Sequence, residues 1–154
     1  MKLSSRGDYA TRIMLELSTA EGPSPLSVHE LSERTAIPAK YLEQIMTRLR
    51  TAGLVRAERG AHGGYVLARP AQTVTIGEVV RLMDGPVAPT PCASSSAHVA
   101  CPSYRCPSEQ ICAMRGLWLE VRDAIAGVLD STTLADLAKR QRSAYLALSD
   151  RYAI

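Results

Sequence analysis

The 154-residue sequence predicts a mainly α protein with a small β-hairpin, arranged as a winged helix-turn-helix domain plus a long helix. Three observations carry this expectation. Apolar residues recur at helical spacing in three segments before residue 52. The period then changes to two short runs around a glycine-rich turn. A further stripe at steps of three and four runs from about 109 to 130.

In residues 5–20, Tyr9, Ala10, Ile13, Met14 and Leu17 form one apolar stripe of a first helix, ended by Glu21-Gly22-Pro23-Ser24-Pro25. Ser27 stands three before Glu30, the capping-box spacing, and opens a short helix through Val28 and Leu31. Pro38 suits the first turn of a third helix, whose inner stripe is Tyr41, Leu42, Ile45, Met46 and Leu49, with Gly53 closing it. Leu54–Arg59 and Tyr65–Arg69 read as two short strands around Gly60-Ala61-His62-Gly63-Gly64. Helix, short helix, helix and hairpin is the order of a winged helix-turn-helix, the third helix reading DNA and the hairpin forming the wing.

Thr75 and Glu78 repeat the capping spacing and start a helix that stops at Asp84-Gly85-Pro86. Residues 85–108 hold five of the nine prolines and read as a long loop, an uncommon feature that is usually functional. The helix at about 109–130 carries Met114, Leu117, Trp118, Val121, Ile125 and Val128, a longer stripe than a lone helix usually buries in a small domain. Either a partner helix or the first helix covers it. Thr133 and Asp136 open a last short helix, and residues 143–154 read as a tail. The expected units are 1–84 (reader), 85–112 (cysteine loop) and 113–154 (dimerisation helix and tail).

Net charge is only +3, from 18 basic and 15 acidic residues, but its distribution is uneven. Residues 40–69 hold six Lys or Arg against Glu43 and Glu58, for +4, so the rest of the chain sums to −1. That segment is the third helix and wing, where phosphate contacts would fall. There is no 18-residue apolar run and no apolar stretch near the N-terminus, so neither a membrane span nor a secretory signal is expected, and the cytoplasm is the expected location. Catalysis is not expected. There is no Ser/His/Asp set and no Walker pattern, and His29, His62 and His98 are scattered.

All four cysteines fall in one 21-residue window, spaced Cys92-x8-Cys101-x4-Cys106-x5-Cys112. In a reducing compartment such clustering points to metal or redox chemistry. Zinc sites favour tighter pairs, which only Cys101/Cys106 approaches. Thiolates on one proline-rich loop suit an iron–sulfur cluster.

Several stretches together resemble one family. They are Leu3-Ser4-Ser5-Arg6-Gly7-Asp8-Tyr9-Ala10, Pro38-Ala39-Lys40-Tyr41-Leu42-Glu43-Gln44-Ile45, Arg48-Leu49-Arg50-Thr51-Ala52-Gly53-Leu54-Val55, Arg59-Gly60-Ala61-His62-Gly63-Gly64-Tyr65 and Thr75-Ile76-Gly77-Glu78-Val79. Over roughly 1–145 the chain resembles the IscR/NsrR/CymR family of winged helix-turn-helix transcription regulators. The resemblance implies a homodimer held by the long helix and bound to a roughly palindromic double-stranded DNA operator. It places Ala39, Lys40, Tyr41, Glu43 and Gln44 at the reading end of the third helix. Chemically, Glu43 is suited to accept from a cytosine amino group and Gln44 to pair with adenine. Lys40, Arg48 and Arg50 are suited to phosphates, and Arg59 to a narrow minor groove with His62 beside it. The alternatives are an ion pair of Glu43 with Lys40 or Arg48, a core role for Tyr41 and a solvated His62.

The same resemblance implies three loop cysteines and a non-cysteine fourth ligand, with Cys92, Cys106 and Cys112 matching best. In the iron–sulfur regulator a histidine occupies the place held here by Arg115, and arginine cannot ligate iron. Cys101 is one replacement. The other is Asp8 from the partner subunit, as in the nitric-oxide sensor; otherwise Asp8 is an ordinary first-helix acid, Cys101 a free or resolving thiol and His98 solvent-exposed. The expected cofactor is an iron–sulfur cluster, 2Fe–2S ahead of 4Fe–4S, with zinc or no cofactor as alternatives. The expected function is a DNA-binding regulator, a repressor by the resemblance, controlled by a cluster or by cysteine redox state. A thiol/disulfide switch or zinc site is the second reading, and an iron–sulfur electron carrier the third.

Overall fold

The computed structural model describes residues 3–20, 24–60, 63–101 and 108–152. Helix α1 (Ser5–Thr19) starts at Ser4, whose hydroxyl accepts from the Gly7 amide at 3.1 Å, and it buries Ala10, Ile13, Met14 and Leu17. Helix α2 (Val28–Thr35) has the full capping box: Glu30 N–H donates to Ser27 Oγ at 3.2 Å, and Ser27 N–H donates to Glu30 Oε2 at 2.8 Å. Ala36 follows with φ 55°, a left-handed conformation that turns the chain into α3 (Ala39–Thr51). Leu42, Ile45, Met46 and Leu49 of α3 are buried beside Leu31 and Ile37. Gly53 leaves α3 at φ 70°, where a side chain would be strained.

Strands β1 (Val55–Glu58) and β2 (Gly64–Leu67) pair antiparallel with Val55 opposite Leu67 and Glu58 opposite Gly64. The wing has a third edge absent from the sequence expectation: Leu26 exchanges both backbone hydrogen bonds with Tyr65, at 3.0 and 2.8 Å. The hairpin is thereby stitched to the chain entering α2, which fixes the wing relative to the reading helix.

Helix α4 (Ile76–Asp84) is capped by Thr75 as the spacing predicts, and Ile76, Val79, Val80 and Met83 enter the common core. The 85–101 stretch is more ordered than a bare loop. A single 3-10 turn at Pro91–Ala93 buries Ala93 and Ser94. Another at Glu109–Ile111 precedes α5 (Ala113–Ser131), with Cys112 as its N-cap residue, so the regular helix starts later than the expected 109. Within the chain the α5 stripe is covered mainly by α4 and not by the first helix. Ile125 and Leu129 pack on the core, whereas Met114, Leu117 and Val128 stay exposed.

The last element corrects the reading of a short helix and a tail. Helix α6 runs from Leu134 to Tyr152. Its start is as foreseen: Asp136 N–H donates to Thr133 Oγ1 at 3.1 Å, and Thr133 N–H donates to Asp136 Oδ2 at 2.9 Å. It continues because residues 134–152 contain no Gly or Pro and are rich in Leu, Ala, Lys, Arg and Gln, which propagate helices well. Leu134 is fully buried, anchoring α6 in the core.

Candidate nucleic-acid interface and cysteine pocket

Burying one side of α3 leaves Ala39, Lys40, Glu43, Gln44, Arg48 and Arg50 on the other, all exposed. Tyr41 is half-buried and meets the Tyr9 ring edge-to-face, centroids 5.6 Å apart at 83°. It therefore serves packing between α3 and α1, and only its outer edge remains for contact. Among the described residues Glu43 makes no ion pair, nor do Lys40, Arg48, Arg50 or Arg59. The other two cations of the basic segment are engaged: Arg56 pairs with Glu58 on the wing at 3.0 Å, and Arg69 pairs with Glu78 of α4 at 2.6 Å. Four cations thus remain for an anionic partner, on the helix and wing the charge count singled out. His62 lies outside the described residues.

Cys92, Cys101 and Cys112 line one apolar-walled pocket of about 420 Å³, together with Val99, Met114, Trp118, Glu109 and Arg115. All three are free thiols; Cys101 is exposed and the other two are half-buried. Cys106 lies outside the described residues. Among those described, no three His, Cys, Asp or Glu side chains converge closely enough to hold one ion. The donors nevertheless suit iron and sulfide in kind, and one cavity gathers thiols that are 20 positions apart in sequence.

A polar network folds this loop onto α5. Arg115 Nε donates to the Cys92 carbonyl at 3.0 Å and lies 3.6 Å from Glu109 Oε2. Arg122 Nη1 donates to the Ala93 carbonyl at 2.8 Å. Glu109 Oε1 accepts from the Cys101 amide at 3.2 Å, and Oε2 meets His98 Nε2 at 2.9 Å. These contacts, led by the His98 hydrogen bond, hold the Glu109 carboxyl below its ordinary range. Arg115 is thus a clamp on the loop backbone, consistent with its inability to ligate. His98 keeps an exposed edge but is tied to Glu109. Asp8 pairs with Arg12 one turn along α1 at 3.0 Å and is not among the residues lining the pocket.

Glu109 escaped the sequence reading; its signal was the spacing Glu109-x2-Cys112. The contact between α4 and α5 was also missed. Arg81 Nη1 and Nη2 donate to Asp130 Oδ1 and Oδ2 at 2.5 and 2.8 Å. Beside it, the Ile76 amide donates to the Thr132 carbonyl at 2.9 Å, and the Leu134 amide to Val74 at 3.0 Å. No described helix is long and apolar enough to cross a membrane.

Comparison with known proteins fits this arrangement. The Rrf2 family model, described as an iron-dependent transcriptional regulator, matches residues 3–140. The HTH-type transcriptional regulator CymR of Bacillus subtilis is 38% identical over 138 residues, covering 90% of either chain. The solved structure of that organism's CymR, titled the global cysteine regulator, superposes with a TM-score of 0.75 over 91% of this chain and 98% of its own. IscR of T. potens superposes with a TM-score of 0.73 at 33% identity, covering 94% of this chain and 90% of that one. The oxidized form of Staphylococcus aureus CymR gives a TM-score of 0.70 at 36% identity, covering 90% and 96%. These relatives are transcriptional regulators and not enzymes. On a family match running from α1 into α6, the chain belongs to the Rrf2 family of transcriptional regulators.

Proposed function

We propose that this regulator acts in the cytoplasm as a homodimer, and that its affinity for a roughly palindromic operator is set by an iron–sulfur cluster at the cysteine pocket. The observation that carries this reading is the shared pocket of Cys92, Cys101 and Cys112 at the start of α5. Residues 1–84 form the reader, 85–112 the sensing loop and 113–154 the dimerisation unit. The exposed Met114, Leu117 and Val128 of α5 supply apolar surface for a second copy. A two-fold dimer would place two α3 helices in major grooves about one helical turn, ~34 Å, apart. Lys40, Arg48 and Arg50 meet phosphates, Glu43 and Gln44 meet base edges, and Arg59 with His62 approaches the minor groove.

When bound, the cluster supplies a redox- and ligand-sensitive centre, 2Fe–2S in preference to 4Fe–4S. Thiolates of the loop hold it, and Arg115 and Arg122 transmit the loop's position to α5. Operator affinity then shifts with cluster state through the relative placement of the two readers. The test is purification without oxygen, iron and sulfide analysis, an absorption spectrum and operator binding in each redox state. A colourless, iron-free protein that binds its operator equally in all states sinks the reading.

A thiol switch without a cluster is favoured by one observation: free Cys92, Cys101 and Cys112 face one cavity, in a chain similar to a CymR solved in an oxidized form. It predicts a dithiothreitol-reversible loss of two hydrogens on oxidation, with no visible absorption in the reduced protein.

A further inference from the structure

We propose that Arg122 is the positioning residue that makes a change at the cysteines move α5, by supplying the second of two grips on the turn that carries Cys92. The inference rests on the reading that operator affinity follows the state of the cysteines, and it holds for a cluster and for a thiol switch alike.

The turn itself is a small self-braced unit. The Ala93 amide donates to the Thr90 carbonyl at 3.1 Å, and the Ser94 and Val99 amides both donate to the Pro91 carbonyl, at 3.2 and 3.3 Å. The Ala97 amide donates to Ser94 Oγ at 3.0 Å. Ala93 and Ser94 are buried. Cys92 therefore rides on a stiff piece of backbone, and whatever displaces it displaces the turn.

Arg115 and Arg122 stand seven residues apart, on the same side of α5 and about 10 Å apart along its axis. Arg115 Nε donates to the Cys92 carbonyl at 3.0 Å, and Arg122 Nη1 to the next carbonyl, that of Ala93, at 2.8 Å. A turn held at one point can pivot about it and leave the helix where it is. Held at two points, from positions two helical turns apart, it neither pivots nor slides without carrying the helix along. The two grips differ in kind. Arg115 lines the pocket and lies 3.6 Å from Glu109, so removing it alters the pocket itself. Arg122 is not among the residues lining the pocket, and its side chain is only 20% exposed. Asp123 braces its guanidinium from the other side, with Nε donating to Oδ1 at 2.8 Å and Nη2 at 2.6 Å, which leaves Nη1 aimed at Ala93. Only a planar fork engages both partners at once.

The test uses the full chain and a duplex that the wild type selects from a random library. Anisotropy gives the affinity with the cysteine site reduced and oxidised, and the ratio of the two affinities is the readout. Visible absorption and free-thiol counts follow the sulfur chemistry separately. Wild type should give a ratio of at least about fivefold. Arg122→Met keeps the apolar stem and removes the guanidinium; it should bring the ratio below about twofold, with the absorption and thiol changes as in wild type. A merely structural Arg122 lowers both affinities together and keeps the ratio, a result that overturns the inference. Altered absorption or thiol counts place Arg122 in the sulfur chemistry itself and overturn it as well. If Arg122→Met does not fold, Asp123→Ala, at a side chain 65% exposed, frees the guanidinium from its brace. The ratio should then fall by at least about twofold, and an unchanged ratio overturns the inference. A wild-type ratio of one overturns the sensing reading and this inference together.

Discussion

Arg81 and Asp130 form a two-pronged ion pair, 2.5 and 2.8 Å, that fastens α4 to α5, the helix whose first turn lines the cysteine pocket. The pair lies over Gly77, where a Cβ would stand 1.9 Å from Asp130 Oδ1 and 2.7 Å from Arg81 Nη1. Only a missing side chain lets the two helices be joined at this point.

Gly77→Ala therefore displaces the ends of Asp130 and Arg81. The helix gains about 1 kcal/mol in propensity, while the lost pair, being more than a third exposed, costs at most about 1 kcal/mol. Thermal melts should show a net change near zero. Asp130→Ala should cost stability in the wild-type background and almost none in Gly77→Ala, a coupling a double-mutant cycle reads directly. The pH dependence has a fixed sign. The Arg81 hydrogen bond lowers the Asp130 carboxyl, so its contribution is present above the unfolded value of about 3.9 and fades as pH falls through the lower folded value. Asp130→Asn should flatten that part of the acid limb.

Arg48 and Arg59, which make no ion pair among the described residues, lie on the proposed interface, and they should act on DNA binding through phosphate charge. Changing either to Ala should weaken binding to any sequence and reduce the slope of log affinity against log salt by about one. Gln44→Ala should leave that slope alone and cost about 1–3 kcal/mol of discrimination at a single base pair. Anisotropy titrations at several salt concentrations separate the two classes.

Ala36 holds φ 55° at the end of α2. A Cβ there costs about 1–2 kcal/mol, and glycine's greater freedom in the unfolded chain returns about 0.4–1 kcal/mol of that difference. Ala36→Gly should raise the melting temperature modestly, by about 0.5–1 kcal/mol of stability, without altering the salt slope.

Leu134 is the fully buried first residue of α6. Leu134→Ala should cost about 2–5 kcal/mol and raise amide exchange along α6 before it affects α3, a contrast measurable by hydrogen exchange.

The reader half was legible because its signals are local. Ser27 with Glu30 and Thr75 with Glu78 cap helices within one turn, and the stripes of α1 and α3 show their period in a dozen residues. The far part of α6 was not legible by pattern, because Tyr145, Leu146 and Leu148 are exposed and mark no buried face. Composition, free of helix breakers, was the usable signal. Within the cysteine site, the grouping of thiols was plain, but the partners of the loop were not. Arg115 meets Cys92 across 23 positions and Arg81 meets Asp130 across 49, and no periodicity reports such contacts. Tyr41 shows the same limit, since its core contact is with Tyr9 on another helix.

The fastening at Asp130, Thr132 and Leu134 makes α5 a cantilever. Its clamped end sits against α4, and its other end, capped by Cys112, lies about 28 Å away, at 1.5 Å per residue. A tilt of about 5° at the clamp sweeps the tip through about 2.5 Å over that length. Run in reverse, a displacement of a bond length or two where sulfur chemistry occurs need turn the root by only a few degrees. On the proposed dimer, each α3 would then swing on its own beam, and the separation of the two reading helices would be tuned by angle and not by refolding.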